Sequence, residues 1–393
     1  MLLLCVIYLA FISLGLPDAV LGASWPVMGE VLNASPEFAG VVALIISAGT
    51  VMSSLLATRM IHYMGIGKLV ALSVLLTAIA LIGFSLAEHS WVLALLAIPL
   101  GVGGGAVDAA LNNFVAVHFK AKHMNYLHSF WGVGAMTGPL IMAHYLTFQN
   151  GWRDGYEIIA ITQFSLVIVL FSALPLWKKM LFKTASEADV SPPFVGNMAV
   201  LKKNGVWLQL MMFFCYCAIE SGTGLWAASF LTTQRSITAG DAAFWVAMYY
   251  MGITLGRFLC GAITEKMPEE TLVRLGVIGI LLGCIMLVLT LSAMWAKFGL
   301  ILIGLGCAPI YPNTIHMTPK RFGSAASQAI ISLSMAVAYM GIMAVPPLLG
   351  VVANLVGFVS FPIILLLLGA IILFTTERLR AYRIVPVVLN KGL

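Results

Sequence analysis

Charged side chains are scarce in this sequence. Its 393 residues include 21 Lys and Arg and 15 Asp and Glu, so that 9% are charged, whereas 61% are hydrophobic. Soluble domains average about 25% charged residues. The composition therefore excludes a soluble enzyme, a nucleic-acid-binding protein and a disordered protein, and it predicts a polytopic membrane protein.

Cysteine is also scarce, and the six cysteines form no metal-binding or disulfide pattern. Each lies within an apolar stretch, and no CxxC pair occurs, so the spacing typical of a zinc site is missing. We therefore expect buried thiols, no metal and no cofactor.

The N-terminal stretch lacks the basic start of a signal peptide and carries Asp18, so we interpret it as a spanning helix.

Long apolar runs recur along the whole chain. A membrane-spanning helix needs about 20 such residues, and backbone polar groups in hydrocarbon must pair within the segment. The predicted spans are 2–29, 36–61, 69–88, 91–119, 126–148, 155–177, 204–233, 241–264, 271–291, 294–317, 323–353 and 357–376. We therefore predict an all-α polytopic membrane protein with twelve transmembrane helices.

Basic residues are distributed unevenly between the two ends of the predicted spans. If the N-terminus is inside, only Arg153, Arg235 and Lys297 fall outside, and Arg257 lies within the eighth span. Cytoplasmic loops carry the excess of Lys and Arg in membrane proteins. We predict that both termini are cytoplasmic and that the protein lies in the inner or plasma membrane.

One long polar connection, residues 178–203, divides the spans into two groups of six. An offset of about 203 residues aligns the two groups, so that Gly101 matches Gly304. Internal duplication is typical of secondary transporters, which bind their substrate between the repeats. We therefore predict two pseudo-symmetric six-helix bundles, 1–177 and 204–393, joined by a cytoplasmic linker.

Three carboxylates fall inside predicted spans: Asp18 in the first, Asp108 in the fourth and Glu220 in the seventh. A charged side chain at the bilayer centre costs at least about 2.5 kcal/mol, so such acids face a water-filled cavity or a partner. No intramembrane lysine lies nearby, and a low dielectric favours the neutral acid. We predict that all three acids take part in proton coupling. A structural hydrogen bond between helices is the alternative for each.

Neutral polar and aromatic side chains gather in the same spans. Asn112 follows Asp108 by four residues and therefore lies on the same helical face. Amides, hydroxyls and aromatic faces suit a neutral polyhydroxylated ligand, because they hydrogen-bond its hydroxyls and stack on its apolar plane. The predicted substrate-binding residues are Asn112, His128, Trp226, Asn313 and Gln328.

The plan of two groups of six helices resembles the major facilitator superfamily over essentially the whole chain. Within it, Leu16-Pro17-Asp18 and the segment 105–114, GAVDAALNNF, resemble the fucose permease-like family of fucose:proton symporters. That family has a helix-one aspartate and a helix-four glutamate for proton coupling and sugar binding. The resemblance implies these roles for Asp18 and Asp108, the second of which is one methylene shorter than the family's glutamate. Segment 127–135 also resembles helix five of the family's glucose-transporter-like branch.

The leading hypothesis is a proton-coupled symporter of a small hexose-like sugar that works by alternating access. It implies no enzymatic activity, a lipid bilayer as the surroundings, no nucleic-acid partner and a monomer. The sequence leaves open which sugar is carried and whether the coupling ion is a proton or sodium.

A proton-driven efflux antiporter of drugs or metabolites is the main alternative. Segment 134–139, GAMTGP, partly matches the antiporter motif of helix five, although the glycine pair expected beyond it is absent. A membrane-embedded enzyme is a third possibility, but neither an HExxH motif nor a recurring nucleophile and base occurs.

Overall fold

Twelve long helices make up almost all of the described chain. The computed structural model describes residues 2–119, 121–148, 151–177, 200–263, 266–289 and 292–381. The helices are α1 Leu2–Val31, α2 Phe38–Met64, α3 Ile66–Ser85, α4 Ser90–His118, α5 Ala121–Tyr145, α6 Gly151–Ser172, α7 Val206–Arg235, α8 Ala239–Ile263, α9 Glu269–Val288, α10 Ala293–Phe322, α11 Ser324–Val356 and α12 Ser360–Ala381. The predicted linker falls largely on residues 178–199, which lie outside the described residues.

Eleven of these twelve helices in the described chain are long and apolar enough to cross a membrane. The exception is α5, which has 25 residues but carries Lys122 and three histidines. The sequence prediction started this span at residue 126, whereas α5 begins at Ala121, because its first turns are helical but too polar to extend an apolar run. The prediction of a polytopic helical membrane protein is confirmed.

The two halves repeat the same close helix contact at equivalent positions. Gly101 of α4 lies against the carbonyl of Ile46 on α2, and Gly304 of α10 lies against the carbonyl of Tyr249 on α8. The residue numbers differ by 203 in both cases. A side chain larger than hydrogen would overlap the carbonyl at either position, and small residues are what allow membrane helices to approach so closely. The two bundles are therefore related by pseudo-symmetry.

The halves pack against each other at the end of the molecule where α1 finishes. A methyl group on Gly22 of α1 would overlap the backbone of Gly224 on α7, and one on Gly40 of α2 would overlap Pro347 on α11. Gly132 of α5 lies against Thr254 of α8 in the same way. One apolar core contains residues of both halves, among them Leu21 and Leu225.

Two further clusters of buried apolar residues each belong to one half. One surrounds Ile7 and Leu69 in the N-terminal half, and the other surrounds Val206 and Ile330 in the C-terminal half. We infer from this division that a cleft between the halves opens toward the end that carries Leu2 and Phe322.

Helix α1 is interrupted at Ala19, between the segments Leu2–Asp18 and Val20–Val31. Pro17 has no N–H, so the carbonyl of Ser13 loses its helical donor. Gln163 of α6 supplies the missing donor: its Nε2 donates to the Ser13 carbonyl at 2.7 Å, and the Ser13 hydroxyl donates to its Oε1 at 2.7 Å. The interruption next to Asp18 is thus stabilised by α6.

We expect Gln163→Leu to lower the free energy of unfolding by about 1–3 kcal/mol, because it leaves the buried Ser13 carbonyl without a donor. Thermal unfolding of the purified protein in detergent measures the effect. Thr162→Val is the matched control: this neighbouring side chain is exposed and bonds only to the Ile158 carbonyl of its own helix. Equal melting temperatures for the two variants would contradict this role of Gln163.

Candidate functional site

Asp18 lies at the interruption of α1 and receives a hydrogen bond from α5. Trp131 donates from Nε1 to Asp18 Oδ2 at 2.7 Å. The two helices are in backbone contact here, since Gly15 of α1 abuts the Trp131 carbonyl and Gly134 of α5 abuts the Ile12 carbonyl. The glycines thus bring the indole to the carboxylate.

Asp108 and Asn112 form a second polar pair within the N-terminal half. The Asn112 amide donates from Nδ2 to Asp108 Oδ1 at 2.8 Å, and both side chains are half-buried. The predicted common face on α4 is confirmed. One turn earlier on α4, Gly104 faces the Leu14 side chain of α1, the helix that carries Asp18.

Glu220 lies in the other half and has a basic partner. Its Oε1 is 3.5 Å from Arg257 Nη2 on α8, and the side chains are 17% and 15% exposed. The ion pair is thus largely buried between α7 and α8 but keeps some exposed surface. Tyr249 donates its hydroxyl to the Glu220 carbonyl at 3.0 Å, which fixes α7 against α8 at this level.

Trp131 joins these groups across the boundary between the halves. The Arg257 guanidinium lies 5.4 Å from the centre of the Trp131 ring. Tyr250, also on α8, makes an edge contact with the same ring at 6.3 Å. An acid of the N-terminal half and an ion pair of the C-terminal half therefore share one aromatic side chain.

His128 lies one turn from Trp131 on α5 and also contacts the opposite half. Its ring packs edge-on against Phe11 at 5.9 Å and lies 6.5 Å from Tyr311 on α10. The Tyr311 hydroxyl approaches the sulfur of Met335 at 3.2 Å. We call the whole group the central cluster: Asp18, Asp108, Asn112, His128, Trp131, Glu220, Tyr250, Arg257 and Tyr311.

The other predicted substrate-binding residues lie apart from the central cluster. Trp226 is fully buried, donates from Nε1 to the Pro346 carbonyl at 2.8 Å and packs against Phe358. Asn313 is buried and donates from Nδ2 to the Pro309 carbonyl at 2.7 Å, within its own helix. Gln328 is exposed in the first turns of α11. In this conformation neither the Trp226 indole nor the Asn313 side chain reaches open space.

Sequence reasoning assigned no site role to Arg257, Trp131 or Tyr250. Arg257 carried a signal, because it is a basic residue inside an apolar span with an acid in the neighbouring span. The tryptophan and the tyrosine carried none, since aromatic side chains are common throughout these helices.

The chemistry available in the central cluster is proton exchange and hydrogen bonding. The described residues contain no group of three or more His, Cys, Asp or Glu side chains placed to hold a metal ion. Carboxylates, one guanidinium, one amide, one imidazole and several aromatic faces are present instead.

Comparison with known proteins identifies the family. The Major Facilitator Superfamily profile matches residues 7–346. Among curated relatives, Bypass of stop codon protein 6 of Saccharomyces cerevisiae is 24% identical, with 93% of this chain and 80% of that protein covered. The Glucose/mannose transporter GlcP of Bacillus subtilis is 23% identical, with 79% and 78% covered.

The fold agrees with this assignment. The crystal structure of a D-xylose-proton symporter superposes with a TM-score of 0.74 at 14% identity, covering all of this chain and 99% of that one. The profile match extends over most of the chain, and the fold it implies is the one observed. The chain therefore belongs to the Major Facilitator Superfamily and is a multi-pass transporter of the cell membrane, not an enzyme.

Proposed function

We propose that the protein is a proton-coupled symporter of a small neutral sugar that works by alternating access. The observation that carries the proposal is the central cluster, where Trp131, which donates to Asp18 of one half, contacts Arg257 and Tyr250 of the other. The glucose/mannose transporter among its relatives supports the substrate class.

The charge balance of the central cluster favours a neutral solute. Arg257 and Glu220 offset each other's charge at 3.5 Å. The other acids of the central cluster are Asp18 and Asp108, so the net charge of the site depends on their protonation. A sugar adds hydroxyl groups but no charge, and it leaves this balance unchanged.

The coupling mechanism follows from the electrostatics of a closing cleft. An ionised carboxylate loses hydration when the cleft closes around it, and this is unfavourable in a low dielectric. Protonation of Asp18 removes that penalty, so the loaded and protonated carrier changes conformation more readily than the empty, charged one. We propose further that both termini are cytoplasmic, so that the cleft opens to the cytoplasm in this conformation.

Binding of the solute is proposed to involve Asn112 and His128 of the N-terminal half. Asn112 has a second amide proton and a carbonyl oxygen beyond its bond to Asp108. His128 stands between Phe11 and Tyr311, where aromatic faces border the cleft. We propose contacts with the solute for Trp226, Asn313 and Gln328 only in a different conformation of the protein.

The antiporter alternative rests on segment 134–139 of α5. In the structure Gly134 abuts the Ile12 carbonyl and Gly138 abuts the Leu16 carbonyl. Helix packing against α1 thus accounts for both glycines, and the central cluster needs that packing to bring Trp131 to Asp18. Symport is therefore the function that we propose.

We expect Asp18→Asn to retain exchange of solute but to lose accumulation against a gradient, because the amide mimics the protonated acid and releases no proton. Counterflow of radiolabelled glucose and uptake driven by an imposed pH gradient, both in proteoliposomes, separate the two activities. Asp108→Asn should behave in the same way, or lose binding as well if its carboxylate contacts the sugar.

The matched control for these changes is Asp154→Asn, an acid-to-amide change at the exposed first turn of α6. It should retain both activities. Full gradient-driven accumulation by the Asp18→Asn/Asp108→Asn double variant would contradict the coupling role of both acids. If an imposed pH gradient drove glucose out of the vesicles while protons moved in, the result would favour the antiporter.

We expect Asn112→Ala and His128→Ala each to weaken glucose affinity by about 1–3 kcal/mol, the effect of removing a buried hydrogen-bonding partner. Equilibrium binding of glucose to the detergent-solubilised protein measures it. Asn113→Ala is the control, because this neighbouring amide is exposed. Unchanged affinity in both cluster variants would contradict the proposed binding site.

A further inference from the structure

The indole of Trp131 has a different partner on its edge and on its face. Its Nε1 donates along the ring plane to Asp18 at 2.7 Å, and the Arg257 guanidinium lies over the ring at 5.4 Å. The guanidinium itself is paired with Glu220 at 3.5 Å. The contacts run in order from an acid of α7 to an acid of α1 across the boundary between the halves.

We propose that Arg257, held by Glu220, is a positioning residue that keeps the Trp131 indole donating to Asp18. Through it the C-terminal half controls the protonation of an acid in the N-terminal half. This inference rests on the proposed function, in which Asp18 carries the coupled proton. In this inference Glu220 is the counter-ion of Arg257, whereas the two aspartates take part in proton coupling.

The contacts are suited to orienting a ring. A guanidinium over an aromatic face is attracted by the ring's negative face, and arginine covers the ring with a rigid plane that lysine lacks. Glu220 supplies the opposite charge, without which a buried guanidinium would be strongly destabilised. Since the N–H lies in the ring plane, fixing the plane fixes the direction of the hydrogen bond to Asp18.

The hydrogen bond in turn acts on the charge of Asp18. A donor to an ionised carboxylate makes a short, charge-assisted bond that favours the ionised form. A movement of α8 away from α5 withdraws Arg257 from the ring and weakens this bond. Through this hydrogen bond alone, separation of the halves at the level of Trp131 favours proton retention by Asp18, and contact favours release.

Other charged or titratable groups lie in the central cluster and on α11, and the test must distinguish them from the Trp131 contact. They are Asp108 on α4, His128 on α5, Glu220 on α7, Tyr250 and Arg257 on α8, and Tyr339 on α11. Of these, Arg257 is the one whose side chain covers the Trp131 face with a cation. The expected effects below therefore concern Trp131 and Arg257 specifically.

The experiment is a pH titration of Trp131 fluorescence in the purified full-length protein, without any solute. For each protein, the emission of the corresponding variant that also carries Trp131→Phe is subtracted, so that the difference emission reports Trp131 alone. We expect the wild-type difference emission to titrate with one midpoint, and Asp18→Asn to abolish the titration. The Arg257→Gln/Glu220→Gln double variant, which leaves no unpaired charge, should move the midpoint up by about one pH unit, as expected when a hydrogen bond to a charged group is weakened.

A second acid–base pair beside a tryptophan on α8 provides the matched control. Trp245 donates from Nε1 to Asp241 at 3.1 Å, Lys297 contacts Asp241 at 2.5 Å, and the Lys297 ammonium lies 5.4 Å from the Trp245 ring. The Asp241→Asn/Lys297→Gln double variant removes this pair without touching Trp131, and the midpoint should stay at the wild-type value. It also shows whether loss of any ion pair from α8 is enough to disturb the signal.

Three results would overturn the inference. They are a wild-type midpoint in the Arg257→Gln/Glu220→Gln variant, an equal shift in the Asp241→Asn/Lys297→Gln control, and a titration that persists in Asp18→Asn. Failure of the proposed function is distinguishable, because it shows in the transport assay as full accumulation by the Asp18→Asn variant. An upward shift of the midpoint in Arg257→Lys, which keeps the charge beside Glu220 but lacks the planar guanidinium, supports the positioning role even if the double variant folds poorly.

Discussion

Each helix must satisfy its backbone polar groups without water, and a break in a helix persists only where another group replaces the missing hydrogen bond. The interruption of α1 shows how this constraint shapes the site. Pro17 deprives the Ser13 carbonyl of its donor, and the Gln163 amide of α6 supplies one at 2.7 Å. Because the break is stabilised from α6, Asp18 can stand at an irregular point of the chain and face the cleft.

Close helix contacts extend this arrangement to the neighbouring elements. Glycines bring α1 and α5 into backbone contact, and Trp131 reaches Asp18 as a result. The equivalent contacts of α2 with α4 and of α8 with α10 repeat at an offset of 203 residues, so both halves are built on the same packing rule. Packing through small residues thus fixes where the few polar side chains meet.

The polar side chains at the centre belong to one electrostatic unit that includes both halves. The carboxylates of Asp18 and Asp108 lie on one side, and the Arg257–Glu220 ion pair lies on the other with Trp131 between them. Since the ion pair is internally balanced, the protonation of the aspartates sets the charge of the cleft. Relative movement of the halves and protonation are therefore physically linked in this transporter.

The sequence by itself determined the number of helices, their approximate bounds, the duplication and the face shared by Asp108 and Asn112. These follow from apolar run length, the energy of burying charge and the helical repeat, all of which are local properties. Only the tertiary structure decided that Glu220 pairs with Arg257, that Trp131 serves both halves and that Trp226 donates to Pro346 inside a helix contact. These contacts depend on the rotation of each helix about its axis and on the distance between the halves. In a uniformly apolar sequence neither is encoded locally, because nearly every face of a helix is compatible with burial.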